Sequence, residues 1–193
     1  MRIVAGRHRG RRIAAPPGEA VRPTSERARE ALFNILAHGR FGPAPVFEDA
    51  RVLDVFAGTG AFGLEALSRG ARFATFIEKD REARDVLAAN IKMLGESART
   101  RLLAVDATAP PRPDGPYDLV FLDPPYRSGL ATPALQALMR AGWLAARALV
   151  IVELAAREHF DLPDGSVLLE ERRYGAGRLI FMRAELKPGT SPG

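Results

Sequence analysis

The 193-residue chain has no cysteine, which rules out disulfides, thiolate metal sites and cysteine nucleophiles. Its three histidines, His8, His38 and His159, are scattered without ligand spacing, so no metal is expected. No apolar run approaches the roughly 18 residues that a bilayer-crossing helix requires. The N-terminal "MRIVAGRHRGRRI" also lacks the continuous apolar stretch of an export signal. A soluble, cytoplasmic monomer with no membrane partner is the expectation. The length suits one catalytic domain with a small appendage, and two full domains would be a squeeze.

What the chain does have is positive charge, unevenly spread. The net charge is +5, and residues 1–12 hold five arginines (Arg2, Arg7, Arg9, Arg11, Arg12) and no acid. Beyond them, acids and bases are mixed. A solvated basic tail is one reading, and an arm that contacts phosphates is the favoured one. The first 18 residues place short β-prone pieces around glycines and end in Pro16-Pro17-Gly18, which predicts a hairpin and turn apart from the main core. "RPTSERAREALFNILAH" reads as a helix capped by Thr24 or Ser25, with Ala28, Ala31, Leu32, Ile35 and Leu36 on one face.

From residue 51 onward, short apolar runs alternate with helical patterns. Nearly all-apolar strands in repeated strand-helix-strand units predict a parallel sheet covered on both faces. "SVLLEERRYGAGRLIFMRAE" predicts a closing antiparallel pair. The division expected is a basic hairpin and helix over 1–40, an α/β domain over 41–185 and a loose tail over 186–193.

Within that domain, "VLDVFAGTGAFGLEAL" fits the spelling G-x-G-x-x-G at Gly58, Gly60 and Gly63. Glycines in a strand-to-helix turn let the backbone approach a ligand and take positive φ. The turn alone does not name that ligand, and a purely structural turn is the plain alternative. Asp54 precedes it, Glu78 ends the next strand 18 residues after Gly60, and Asp106 closes the third strand. At Asp54 a carboxylate can order the loop or meet a cationic amino-acid group, whereas Glu78 can accept from ribose hydroxyls and Asp106 from an adenine amine; each has a helix cap or loop brace as its plain alternative. The discriminating stretch is "VFLDPPYRSG". Asp123-Pro124-Pro125-Tyr126 forms a stiff ledge at the sheet's carboxyl edge, because the prolines restrict their own backbone and that of the residue before them. There Asp123 and the Pro124 carbonyl can accept from an exocyclic amine while Tyr126 offers a stacking face. An NAD-dependent oxidoreductase needs no such ledge.

The segments "DVFAGTGAFGLEALSRGA", "FIEKD", "VDA" and "LDPPY", in that order, resemble the class I S-adenosylmethionine-dependent amino methyltransferases. With "MRIVAGRHRGRRI", "RPTSERAREALFNIL" and "RRYGAGRL", the chain resembles the bacterial 16S rRNA guanine-N2 methyltransferases of the RsmD family over residues 1 to about 184. The resemblance implies a Rossmann-like α/β fold whose seven-stranded, mostly parallel sheet has an antiparallel last strand. It also implies S-adenosylmethionine as cofactor and 16S rRNA or a small-subunit particle as partner. Carried over by position, Asp54, Phe56, Ala57, Gly58 and Gly60 would hold the cofactor's methionine end, Glu78 its ribose, and Asp106 and Ala107 its adenine. Asp123, Pro124, Pro125 and Tyr126 would hold the target base. The five N-terminal arginines, Arg22 and Arg127 would contact RNA, with the cofactor mouth as the other place for Arg22. A DNA adenine-N6 methyltransferase, which would share the ledge but usually needs a target-recognition domain, and a non-catalytic RNA-binding assembly factor are the rival readings. Trp143 and Met139 read as core.

Overall fold

Five runs of β-branched, leucine and aromatic residues interspersed with helices have few ways to hide their apolar surface, and the chain uses a sheet covered on both sides. A computed structural model describes residues 1–15, 23–42 and 46–186. Its elements are α1 (Pro23–Ala37), β1 (Arg51–Val55), α2 (Ala61–Ser68), β2 (Phe73–Ile77), α3 (Arg81–Leu94), β3 (Thr100–Leu103), β4 (Tyr117–Leu122), α4 (Ala131–Arg140), β5 (Leu144–Ala155), β6 (Ser166–Tyr174) and β7 (Gly177–Ala184). The seven strands lie in the order β3-β2-β1-β4-β5-β7-β6. The first five pair in parallel, and β7 runs antiparallel to both β5 and β6. Successive connections therefore leave β1 in one direction and β4 in the other. The crevice above their carboxyl ends is where open α/β sheets bind ligands.

Helix α3 shows how local sequence sets an element. The Asp80 side chain accepts the Ala83 N–H at 2.8 Å and caps its start, and Gly95 ends it at φ 74. Leu87, Asn90, Ile91 and Leu94 form its buried face. Helix α1 begins at Pro23, a favoured first helical position. The expected caps Thr24 and Ser25 have side chains outside the described residues, as does Arg22 itself. Residues 187–193 of the expected tail also lie outside them. Trp143 is buried core, and its indole N–H donates to the Pro111 carbonyl at 2.7 Å. Among the described residues no helix is long and apolar enough to cross a membrane, and no cluster of three or more potential ligands could hold a metal.

The N-terminal region corrects the expectation of a separate hairpin. A single antiparallel bridge, Arg2 to Arg12, closes the arm. Ile3 and Ile13 are buried in the same apolar cluster as Leu32, Phe33 and Leu36 of α1 and Phe62 and Phe121 of the main domain. The anchor is Glu65 on α2, fully buried, which accepts the Val4 N–H at 2.7 Å, the Ala5 N–H at 3.0 Å and the Arg69 Nε–H at 2.6 Å. A buried carboxylate is tolerated only when its acceptor positions are filled in this way. Glu65→Ala strands two backbone donors and the Arg69 guanidinium. It is expected to cost about 3 kcal/mol in denaturant unfolding and to open the arm to trypsin; a variant with unchanged midpoint and cleavage would show that the arm is not held there.

Candidate active site

Between β1 and α2 the backbone passes through positive φ at Phe56 (60°), Gly58 (52°) and Gly60 (76°). Two of the motif's glycines serve packing. A Cβ on Gly60 would lie 2.2 Å from Leu87 Cδ1, and one on Gly63 would lie 2.4 Å from Phe76 Cε1. At Gly58 a Cβ would meet nothing within 4 Å, so this glycine faces open space, a cradle with room for a ligand. Two acids brace the loop. Asp54 Oδ2 accepts the Gly63 N–H at 2.9 Å from beneath, and Glu78 accepts the Gly58 N–H at 2.9 Å and the Asp80 N–H at 2.8 Å from the side.

Asp54 is only 2% exposed. The sequence places it at the methionine end of a cofactor; the structure turns its carboxyl inward as a loop brace and leaves the loop backbone as the surface a ligand meets. Burial, with the charge of Glu78 added, pushes the Asp54 carboxyl up to about 8 against the opposing Gly63 N–H. Asp106 lies in the exposed loop after β3. It accepts from the Thr108 N–H at 2.8 Å and hydroxyl at 2.7 Å and pairs with Lys79 Nζ at 3.4 Å. The Thr108 backbone bond first, then its hydroxyl and Lys79, hold the Asp106 carboxyl below its usual range, so it presents an ionised acceptor. Ala107 beside it is buried.

Across the crevice, the Asp123 N–H donates to the Val55 carbonyl at 3.2 Å and ties the ledge to β1 beside the glycine loop. Pro124 is buried, whereas Asp123, Pro125 and Tyr126 are exposed. The Ser128 N–H closes a turn on the Pro125 carbonyl at 3.1 Å, and inside it Arg127 takes φ 60°, rare for a residue with a side chain. The Arg127 N–H is held by Glu158 Oε2 at 2.8 Å. The Tyr126 hydroxyl donates to Glu153 Oε1 at 3.3 Å. Neither glutamate is among the residues predicted from sequence. For Glu153 the signal available was an acid inside the otherwise apolar strand "ALVIVEL". Although Asp123 is exposed, the protein packed around it, then the charges of Glu153 and Asp54, push its carboxyl well above the usual range. The Glu153 carboxyl is also raised, by burial, against the Tyr126 hydrogen bond and the charge of Arg29 on α1.

The five arginines of the arm are exposed, but not all are equally available to a ligand. Arg7 pairs with Glu96 Oε1 at 2.7 Å, and Arg11 donates to the Met93 carbonyl at the end of α3 at 3.1 Å. His8 also contacts Glu96. Helix α3 joins the arm to the glycine loop. Asn90 accepts the Ala14 N–H at 2.8 Å and donates to the Ala14 carbonyl at 3.1 Å and the Thr59 carbonyl at 3.0 Å. On the other side, Arg29 donates to the Arg2 carbonyl at 3.1 Å.

Comparison with known proteins places this geometry. Residues 1–183 match the family described as Conserved hypothetical protein 95. The chain is 44% identical over 154 residues to Ribosomal RNA small subunit methyltransferase D of Escherichia coli strain K12, covering 79% of this chain and 74% of that protein. It is 35% identical over 179 residues to the Haemophilus influenzae protein of the same name, covering 91% and 89%. The solved structure of yhhF from Escherichia coli superimposes with a TM-score of 0.83 at 38% identity, covering 97% of this chain and 99% of that one.

The buried Asp54 carboxyl makes a stability prediction whose sign is set by its shift. Folding raises its proton affinity from the ordinary carboxylate range to about 8, so its contribution to stability is full below pH 4 and is lost as pH rises through 8. Asp54→Asn keeps an acceptor for Gly63 and removes the titration. Its stability relative to wild type should rise between pH 5 and 8, by at most about 1.4 kcal/mol per pH unit. Parallel stability curves for the two proteins would contradict the assignment.

Proposed function

Because the chain belongs to the RsmD family, we propose that it transfers a methyl group from S-adenosylmethionine to the exocyclic N2 amine of a guanine in 16S rRNA, on the RNA or a small-subunit particle. The observation that carries this reading is the Asp123–Tyr126 ledge, hydrogen-bonded to the end of β1 beside a glycine loop with open space at Gly58. Residues 1–40 act as the RNA-contacting part and 41–185 as the catalytic domain.

The residues fit the cofactor. Gly58 leaves room for close approach, the Phe56–Gly60 backbone lines the methionine end, and Glu78 retains acceptor positions beyond its two backbone bonds for ribose hydroxyls. Asp106, an ionised acceptor, and the Ala107 backbone would hold the adenine. When bound, the sulfonium cofactor supplies an activated methyl group. The protein's task is then mainly alignment of the acceptor nitrogen. A guanine amine is a poor nucleophile because its lone pair is delocalised into the ring. Hydrogen bonds from its protons to Asp123 and the Pro124 carbonyl orient that lone pair along the transfer direction. As nitrogen becomes positive it sheds a proton, and Asp123, made more basic by its surroundings, accepts it. The Tyr126 ring replaces part of the stacking lost when the base leaves its neighbours. Arg2, Arg9, Arg12 and Arg127 supply phosphate contacts that orient the RNA without reading its sequence; Arg7 and Arg11 divide their charge between RNA and their partners in the fold.

Labelled methyl transfer to small-subunit particles from cells lacking the gene, followed by nucleoside analysis, tests the reaction. N2-methylguanosine is the expected product, and cofactor binding without transfer to particles, naked RNA or DNA would refute it. Asp123→Ala should lower turnover by about 1,000-fold with cofactor affinity within about threefold of wild type; an active variant would remove Asp123 from amine positioning. Replacing Arg9 and Arg12 with alanine should weaken RNA binding and reduce its salt slope by about 2. An unchanged slope would make these two residues bystanders.

A further inference from the structure

The mechanism above leaves Glu153 without a role. In the parallel pairing of β4 and β5, Leu122 stands beside Val152. One residue further come Asp123, just past the end of β4 but still bonded to the Val55 carbonyl of β1, and Glu153 of β5; continued at the usual strand spacing of about 4.8 Å, that register sets them level with each other on one face of the sheet. Two acceptor-only side chains thus rise together at the edge where the target base is held. A structural need would be met by an amide. Two adjacent acids instead resist ionising together, and a ligand that brings two hydrogen-bond donors relieves that cost.

The Watson–Crick edge of guanine is such a ligand, since its N1–H and N2 amine protons are neighbouring donors. Adenine offers an amine beside an N1 lone pair, which a carboxylate repels. The Tyr126 hydroxyl occupies one acceptor position of Glu153, at 3.3 Å, and leaves others for a base. A side chain at residue 177 would put its Cβ 3.2 Å from that hydroxyl, so the glycine there leaves Tyr126 room to keep this hydrogen bond and hold its ring steady.

We propose that Glu153 determines base specificity: its carboxylate accepts the N1–H of the target guanine while Asp123 accepts from the N2 amine. This rests on the guanine-N2 reading above. The test uses the full chain and particles reconstituted around 16S rRNA carrying either guanine or 2-aminopurine at the nucleotide the wild-type protein methylates. 2-Aminopurine keeps the N2 amine and has a lone pair at N1. Wild type should favour guanine by about 100-fold or more in kcat/KM, because a site built for a donor rejects a base lacking it. Glu153→Gln, whose amide can donate to N1, should slow guanine methylation and shrink that preference at least tenfold with cofactor affinity unchanged. Tyr126→Phe removes only the phenol and should slow both bases while keeping the preference. A wild-type protein that treats both bases alike overturns the proposal without any variant, and so does a Glu153→Gln protein that slows both equally. No N2-methylguanosine from wild type on ordinary particles would refute the underlying reading instead, whereas its formation with an unchanged preference would refute only the role of Glu153.

Discussion

Asp54, Asp123 and Glu153 converge on the carboxyl edge of three neighbouring strands, β1, β4 and β5, and each carboxyl is held above its ordinary range, first by the protein around it and then, for Asp123, by the other two charges. A parallel sheet imposes this arrangement. Strands that run the same way bring their carboxyl ends to one edge, so acids placed there must share a small volume. The concentration of negative potential costs stability in the free protein. It suits a site built for a positively charged sulfonium and for a base that presents hydrogen-bond donors. Function is thereby written into an energetic cost that the apolar cores on the two faces of the sheet offset.

The same edge is mechanically joined to the N-terminal arm. Glu65 holds the arm's backbone on α2, Asn90 links Ala14 to the Thr59 carbonyl in the glycine loop, and Arg29 joins the arm's Arg2 carbonyl to the electrostatic surroundings of Glu153. The arm proposed to contact RNA and the loop proposed to contact the cofactor therefore rest on shared hydrogen bonds.

Much of this was legible in the residues, and the boundary follows physical lines. The glycine turn and the proline ledge could be read because local backbone geometry demands glycine and proline at those places, whatever surrounds them. The alternation of apolar runs and amphipathic helices disclosed the sheet, and the glycine in "RRYGAGR" disclosed its antiparallel end. Glu153 was hidden because its meaning depends on strand register, which sets Leu122 beside Val152 and so brings Glu153 level with Asp123, 30 positions earlier in the chain. Glu65 was hidden for a related reason: an acid within a helix reads as solvated until the arm's backbone donors fold over it. For Asp54 the sequence left open whether its carboxyl orders the loop or meets a ligand, since position along a strand does not tell which way a short carboxyl faces; the structure shows it bracing the loop at Gly63. Of the five arm arginines, Arg7 and Arg11 carry a structural duty that a count of charges could not separate from phosphate contact.

If the raised carboxyls of Asp54, Asp123 and Glu153 surround the place of the cofactor's positive sulfur, binding must change how many protons they hold, and proton counting reads that change. Calorimetric titration at pH 7.5 with S-adenosylmethionine and with S-adenosylhomocysteine, each in two buffers of different ionisation enthalpy, gives the protons exchanged on binding. Both ligands exclude water from the site alike, and only the first carries the sulfonium charge. The account predicts more protons released, or fewer taken up, with S-adenosylmethionine, because the added cation lowers the affinity of the raised carboxyls for protons. Equal proton counts for the two ligands would contradict it.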